Sequence, residues 1–176
     1  MKIKKLTLMS VMLGLALIVF TIESQLPPIA PIPGIKLGLA NTINLIVLYM
    51  LGRKESFTVL VSRIVLGSIF AGNITGFMYS LSGGLVSFAF IATVSVFLKE
   101  NRMWVVSVFG AIGHNIGQIM FALFLLKTPQ LILYLPILTV SAVITVFFTG
   151  AAAQLTLKRL HKTKYVKELS EEENYA

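Results

Sequence analysis

The residues best equipped for chemistry lie in one short stretch, Gly110-Ala-Ile-Gly-His-Asn-Ile-Gly-Gln118, inside a run from Met103 to Leu126 that is otherwise apolar. His114 and Gln118 are four apart and stack on one helix face, with Asn115 alongside. Gly110, Gly113 and Gly117 recur every three to four residues, which lets a neighbouring backbone approach closely. Polar side chains in hydrocarbon are costly, and they usually face a bundle interior or a wet cavity. Two readings stay open: the cluster lines a binding cavity, or it only joins helices by hydrogen bonds.

Arg63 is the hardest residue to place without a role. A lone guanidinium in hydrocarbon costs several kcal/mol even on lenient scales, so it needs carbonyls, an acid or a ligand anion. Glu23 is the one acid in or bordering the outer half of the apolar segments. Structural pairing of Arg63 and a ligand-anion role are both open. Asn41 and Asn44, three apart, share a face of another apolar run. Phe77, Tyr79, Phe88 and Phe90 could stack on a planar ligand or simply pack. The second histidine, His161, lies in the tail, so no histidine metal site is expected. No nucleophile–base pair, phosphate loop or carboxylate dyad is present, and an enzyme is not expected. No cofactor is implied.

Composition sets the frame. The 176 residues are 56% hydrophobic and 12% charged, against about a quarter charged in an average soluble domain. That is an integral membrane protein, and one bundle is expected. There is no cysteine, which excludes disulfides and thiolate metal sites. There is no aspartate either, which removes the Asp-rich motifs that hold magnesium diphosphate. The net charge of +8 sits in turns and tails, so it points to membrane orientation and not to nucleic acid.

Six helices are expected to position these residues. Leu6–Ile22 reads as a retained first helix, since no small-x-small cleavage site follows it. Ser10 and Gly14 form a small-x-x-x-small pair on it, a helix-packing face. Ser24–Lys36 holds four prolines in seven residues, which forbids a helix and favours a stiff segment, either a lid over the bundle or a plain connector. Leu37–Leu51 is the second helix and Ser56–Gly72 the third. Asn73–Ser82 is polar and glycine-containing and reads as a bent or re-entrant segment before a fourth helix that follows Gly83-Gly84 and ends at Leu98. Met103–Leu126 is the fifth. Leu131–Leu157 is the sixth, with a kink expected at Pro136. Residues 1–157 thus form the transmembrane domain and 158–176 a charged cytoplasmic tail.

Twelve of the fifteen Lys and Arg fall on one side of this layout, while the opposite loops carry only Lys36 and Lys127. The excess places both termini in the cytoplasm. At about 1.5 Å per residue from the cytoplasmic helix ends, Arg63 lies roughly 11 Å up, His114 about 16 Å and Gln118 about 22 Å. Counted down from Leu37 as the outer end, Asn41 and Asn44 lie roughly 6 and 10 Å below the outer surface. The economical arrangement is a half-depth cavity opening outward. Asn41, Asn44, Arg63, His114, Asn115 and Gln118 line it, with Glu23 and Lys36 at its rim. The cationic balance favours an anionic or carbonyl-rich ligand.

Glu23-Ser24, Pro27-Pro28, Pro33-Gly-Ile-Lys-Leu-Gly-Leu-Ala-Asn41, Arg63, Ser80-Leu-Ser-Gly-Gly84 and Gly110–Gln118 together resemble the Gx transporter family of bacteria, also known as heptaprenyl diphosphate synthase component I. The similarity runs from about Leu6 to Leu157. That family is similar in turn to the six-helix S components of energy-coupling-factor transporters. There a small-residue face on helix one meets a transmembrane coupling subunit driven by ATPases. Ser10 and Gly14 resemble that face but lack its usual alanines. The resemblance implies a multi-pass protein of the bacterial cytoplasmic membrane that captures a small molecule outside and is energised by separate subunits, since the chain has no Gly-x-x-x-x-Gly-Lys-Ser/Thr loop. The other family name implies a non-catalytic membrane partner of a soluble prenyl synthase, in isoprenoid or quinone synthesis, or a role in quinone-linked electron transfer.

Overall fold

The computed structural model describes residues 2–25, 40–98 and 100–160. The described residues form six α-helices in chain order: α1 (Lys2–Gln25), α2 (Ala40–Leu51), α3 (Arg53–Ala71), α4 (Ile74–Phe97), α5 (Met103–Leu126) and α6 (Leu135–Leu160). Short 3-10 turns at Glu100–Arg102 and Pro129–Tyr134 lead into α5 and α6. No strand occurs among the described residues. Residues 26–39, which hold the proline-rich segment and Lys36, lie outside the described residues, as does the tail from 161.

Four stretches are long and apolar enough to cross a bilayer: Ile3–Gln25, Ile74–Phe97, Glu100–Leu126 and Pro129–Leu160. Their large apolar side chains point outward, as at Ile18, Phe97, Phe124 and Ile144. A soluble protein would bury such residues, whereas a lipid-facing helix need not. The chain is a multi-pass membrane protein. The described part of α2 is shorter: its 12 residues span about 18 Å, against the roughly 30 Å of hydrocarbon.

The course of α4 corrects an expectation. Asn73–Ser82 is not a re-entrant segment, because α4 runs unbroken from Ile74 through Gly83-Gly84 to Phe97. α3 stops at Gly72, whose φ of 59° is open to glycine at little cost. Asn73 then starts α4 by accepting a hydrogen bond from the Gly76 amide at 2.9 Å, an ordinary N-cap. Two polar residues that follow make contacts inside the bundle. Ser82 donates to the Gly117 carbonyl at 2.6 Å, and buried Tyr79 packs edge-on against Phe121 with ring centres 5.0 Å apart.

Pro136 does not kink α6. It is the second residue of that helix, where the missing amide hydrogen would have had no partner anyway. At its far end α6 continues through Lys158 to Leu160, and Leu157 is fully buried. Lys5 and Glu55 pair at 2.9 Å and tie the start of α1 to the start of α3.

The most extensive contact among the described helices is between α4 and α5, and the glycine stripe of α5 lets them approach closely. A β-carbon added at Gly117 would lie 2.5 Å from the Ser82 carbonyl oxygen and 2.9 Å from the Gly83 α-carbon. Gly14 of α1 has nothing within 4 Å of such a β-carbon, and Ser10 is exposed with its hydroxyl bonded to the Leu6 carbonyl. That pair therefore does not pack against any described part of the chain.

Candidate functional site

Two larger apolar clusters occupy the ends of the interior, and a small third one of Ala111, Ala142 and Val146 joins α5 to α6. Of the larger two, one gathers Leu45, Leu48, Val59, Met103, Val106 and Leu157 near the α2–α3 and α4–α5 turns. The other holds Tyr79, Ile119, Ala122, Leu131 and Leu138 near the α5–α6 turn. Between them lies a polar layer. Counted from the helix ends at Leu51, Arg53, Phe97 and Met103, the residues Asn41, Arg63, Ser87 and His114 all rise about 15 to 17 Å. Four helices thus deliver a hydrogen-bonding group to one level.

Three of these groups are bonded in series. Arg63 Nη2 donates to Asn41 Oδ1 at 2.9 Å, and Asn41 Nδ2 lies 3.0 Å from His114 Nδ1. Arg63 and His114 are each 4% exposed, which is deep enough for every unmet polar atom to matter. Glu23 of α1 is also buried, and its negative charge acts on Arg63. The guanidinium therefore has an internal hydrogen-bond acceptor and an acid whose charge reaches it.

The contact between Asn41 and Arg63 revises the depth estimate. Counted from Leu51, Asn41 rises about 15 Å, and its bond to Arg63 puts the two residues at one level beside His114.

Several buried atoms in and next to this layer have no hydrogen-bond partner among the described residues. They are Arg63 Nε, His114 Nε2, both amide atoms of Gln118, Asn44 Oδ1 and Ser87 Oγ. Gln118 is fully buried one turn from His114, and both abut Gly83: a β-carbon there would come within 2.8 Å of Gln118 Cγ and of His114 Nδ1. Native interiors leave few polar groups unpaired, so such a concentration asks for an explanation in function.

Not every expected residue joins the cluster. Asn115 donates to the Leu138 carbonyl of α6 at 2.9 Å and so fastens α5 to α6. Asn44 is buried on α2, and its backbone carbonyl accepts from Ser56 at 2.9 Å. Beside the chain of bonds lies a small cavity of about 10 Å³, lined by Asn41, Thr42, Ser87, Ser107 and Gly110, and of the six residues expected to line a cavity only Asn41 is among its walls. That is room for about one water molecule. The signal for it lay in Gly83 and Ser87, small residues four apart that meet the glycine stripe of α5 at Gly117 and Gly110. No group of three or more potential metal ligands occurs among the described residues.

Asn115→Leu separates joining from binding. It removes one interhelical bond and leaves the Leu138 carbonyl with its other donor, Ser141. The expected loss is about 1 kcal/mol of stability, read as a lower melting temperature in detergent, with any small molecule still retained.

Residues 12–156 match the heptaprenyl diphosphate synthase component I family. The chain belongs to that family. The match covers both halves of the polar layer, Asn41 and Arg63 as well as His114 and Gln118. No curated relative and no solved structure matches the chain. The component I family name speaks of a synthase assembly, while the residues in the membrane interior offer hydrogen bonds and one paired cation.

Proposed function

We propose that this component I family member is a small-molecule-capturing membrane subunit, similar to an S component and energised by separate subunits. In this reading all six helices belong to the membrane domain, with α2 completed by the residues before it. Both termini face the cytoplasm of a bacterial cell, as the distribution of Lys and Arg supports. The ligand enters from the outer side and reaches the polar layer. One observation carries the reading: buried Arg63 Nε, His114 Nε2 and the Gln118 amide stand without partners beside a bonded Arg63–Asn41–His114 series. A layer built only to join helices would leave few such groups unmet.

The family name favours a second reading, a non-catalytic membrane partner of a soluble prenyl synthase. The absence of aspartate supports a partner over a catalyst, because diphosphate chemistry needs acidic magnesium ligands. Native mass spectrometry of gently purified protein tests both. Capture predicts a bound small molecule of constant mass. A synthase-like partner retained in its place, with no small molecule, supports the second reading against the first.

A further inference from the structure

Chemistry limits how the polar layer can be wired. A guanidinium only donates hydrogen bonds. Arg63 Nη2 sits 2.9 Å from Asn41 Oδ1, so the oxygen end of that amide is turned towards Arg63. The nitrogen end, which also only donates, therefore faces His114 Nδ1 at 3.0 Å. Nδ1 must accept this bond and so carries no proton. The neutral ring then bears its hydrogen on Nε2. The amide orientation and the tautomer both follow from the one group that cannot be reversed. The Gly83 carbonyl is near enough to accept a proton on Nδ1, but a proton there would face the Asn41 amino group 3.0 Å away unless the amide reversed, which Arg63 opposes. A doubly protonated ring would set an N–H against the Asn41 amino group and put a second cation near Arg63.

The bonds thus run in one direction, from Arg63 to Asn41 to His114, and end in a buried Nε2–H donor that has no partner among the described residues. We infer that Arg63 and Asn41 are positioning residues that hold His114 as the Nε2–H tautomer, and that His114 recognises an accepting oxygen on the captured molecule. A carbonyl, a carboxylate or a phosphate oxygen meets that requirement. Arg63 Nε–H supplies another buried donor in the layer, and the Gln118 amide offers either polarity. A molecule carrying only donors would meet N–H with N–H at His114. The ligand part of this inference rests on the capture reading; the tautomer does not.

The chain has two histidines, so His161→Ala leaves His114 as the sole reporter for histidine-selective 15N NMR of the full chain in nanodiscs. The expected spectrum shows a bare Nδ1 and a protonated Nε2. Asn41→Asp still accepts from Arg63 but no longer donates to the ring, and it should move the proton to Nδ1. Acetophenone, benzoate and aniline then serve as probes that carry a neutral acceptor, an anionic acceptor and a donor on the same ring. Saturable displacement of the Nε2–H resonance by acetophenone or benzoate is expected, and the stronger of the two tells a neutral oxygen from an anionic one. Asn41→Asp should weaken that probe about tenfold, the loss of one hydrogen bond. A proton on Nδ1 in the parent chain overturns the inference even if a ligand is retained in mass spectrometry. A response to aniline alone, or to none of the probes, overturns it as well. A retained ligand that is missing altogether defeats the capture reading instead, whatever the tautomer.

Discussion

Arg63→Ala is expected to abolish small-molecule retention and to lower stability by about 1–3 kcal/mol, the cost of leaving buried polar groups unmet. The substitution removes the donor to Asn41 Oδ1. It also withdraws the positive charge that acts on buried Glu23. The Asn41 amide is then free to turn, and with it the ring of His114. Arg63→Lys separates the two effects. It keeps a charge near Glu23 but lacks the Nε–H and the planar fork, so it should recover part of the stability and little of the binding. Melting temperature and native mass spectrometry on the three proteins report both quantities. Full retention of a ligand by Arg63→Ala would remove the guanidinium from the binding machinery.

Gly117→Ala is expected to be among the most damaging single-methyl changes in the chain. Its β-carbon would strike backbone atoms of α4, at Ser82 and Gly83, and no side chain can rotate out of the way. Overpacking of this kind typically costs about 1–3 kcal/mol, and a backbone obstacle belongs at the upper end. Separation of α4 from α5 would also move Gly83 off His114 and Gln118, so binding should fall together with stability. Gly14→Ala is the matched control. Nothing lies within 4 Å of the added carbon, and an alanine within a helix is favoured over glycine by up to about 1 kcal/mol. The control should melt at or slightly above the parent temperature. Equal losses at both positions would show that glycine content matters, and not the α4–α5 contact.

The convergence of Asn41, Arg63 and His114 is legible in the sequence, because each is too costly to leave alone in hydrocarbon. Their mutual geometry is not. Depth counted from Leu37 separates Asn41 from Arg63, whereas depth counted from Leu51 brings the two level, as their bond requires. Adjacency groups Asn115 with His114, yet successive residues on a helix point about 100° apart, which turns Asn115 to α6. Gly83-Gly84 reads as a break in α4. In the fold these two residues are points of close approach, towards His114 and Gln118 on one side and Ile64 on the other. Glycine marks both situations in a sequence, and only the neighbour distinguishes them. The size of the space between the polar groups depends on packing to fractions of an ångström, which no spacing rule carries.

The layer also explains how one buried cation coexists with a small bundle. Arg63 has an amide oxygen and an acid to meet its charge, so its presence alone does not require a ligand. The unmet atoms beyond it do the discriminating. Structural joining accounts for Asn115 and for Ser82, each of which bonds to a carbonyl of a neighbouring helix. It leaves His114 Nε2 and the whole Gln118 amide unexplained.

The most direct measurement is an experimental structure of the full chain, purified gently in nanodiscs, at a resolution that shows bound small molecules. Capture predicts density for a non-protein molecule with an oxygen within hydrogen-bond distance of His114 Nε2 and contact to Gln118 or Arg63 Nε. A layer in which Gln118 itself closes onto His114, with protein atoms meeting Arg63 Nε and no molecule between them, would contradict it.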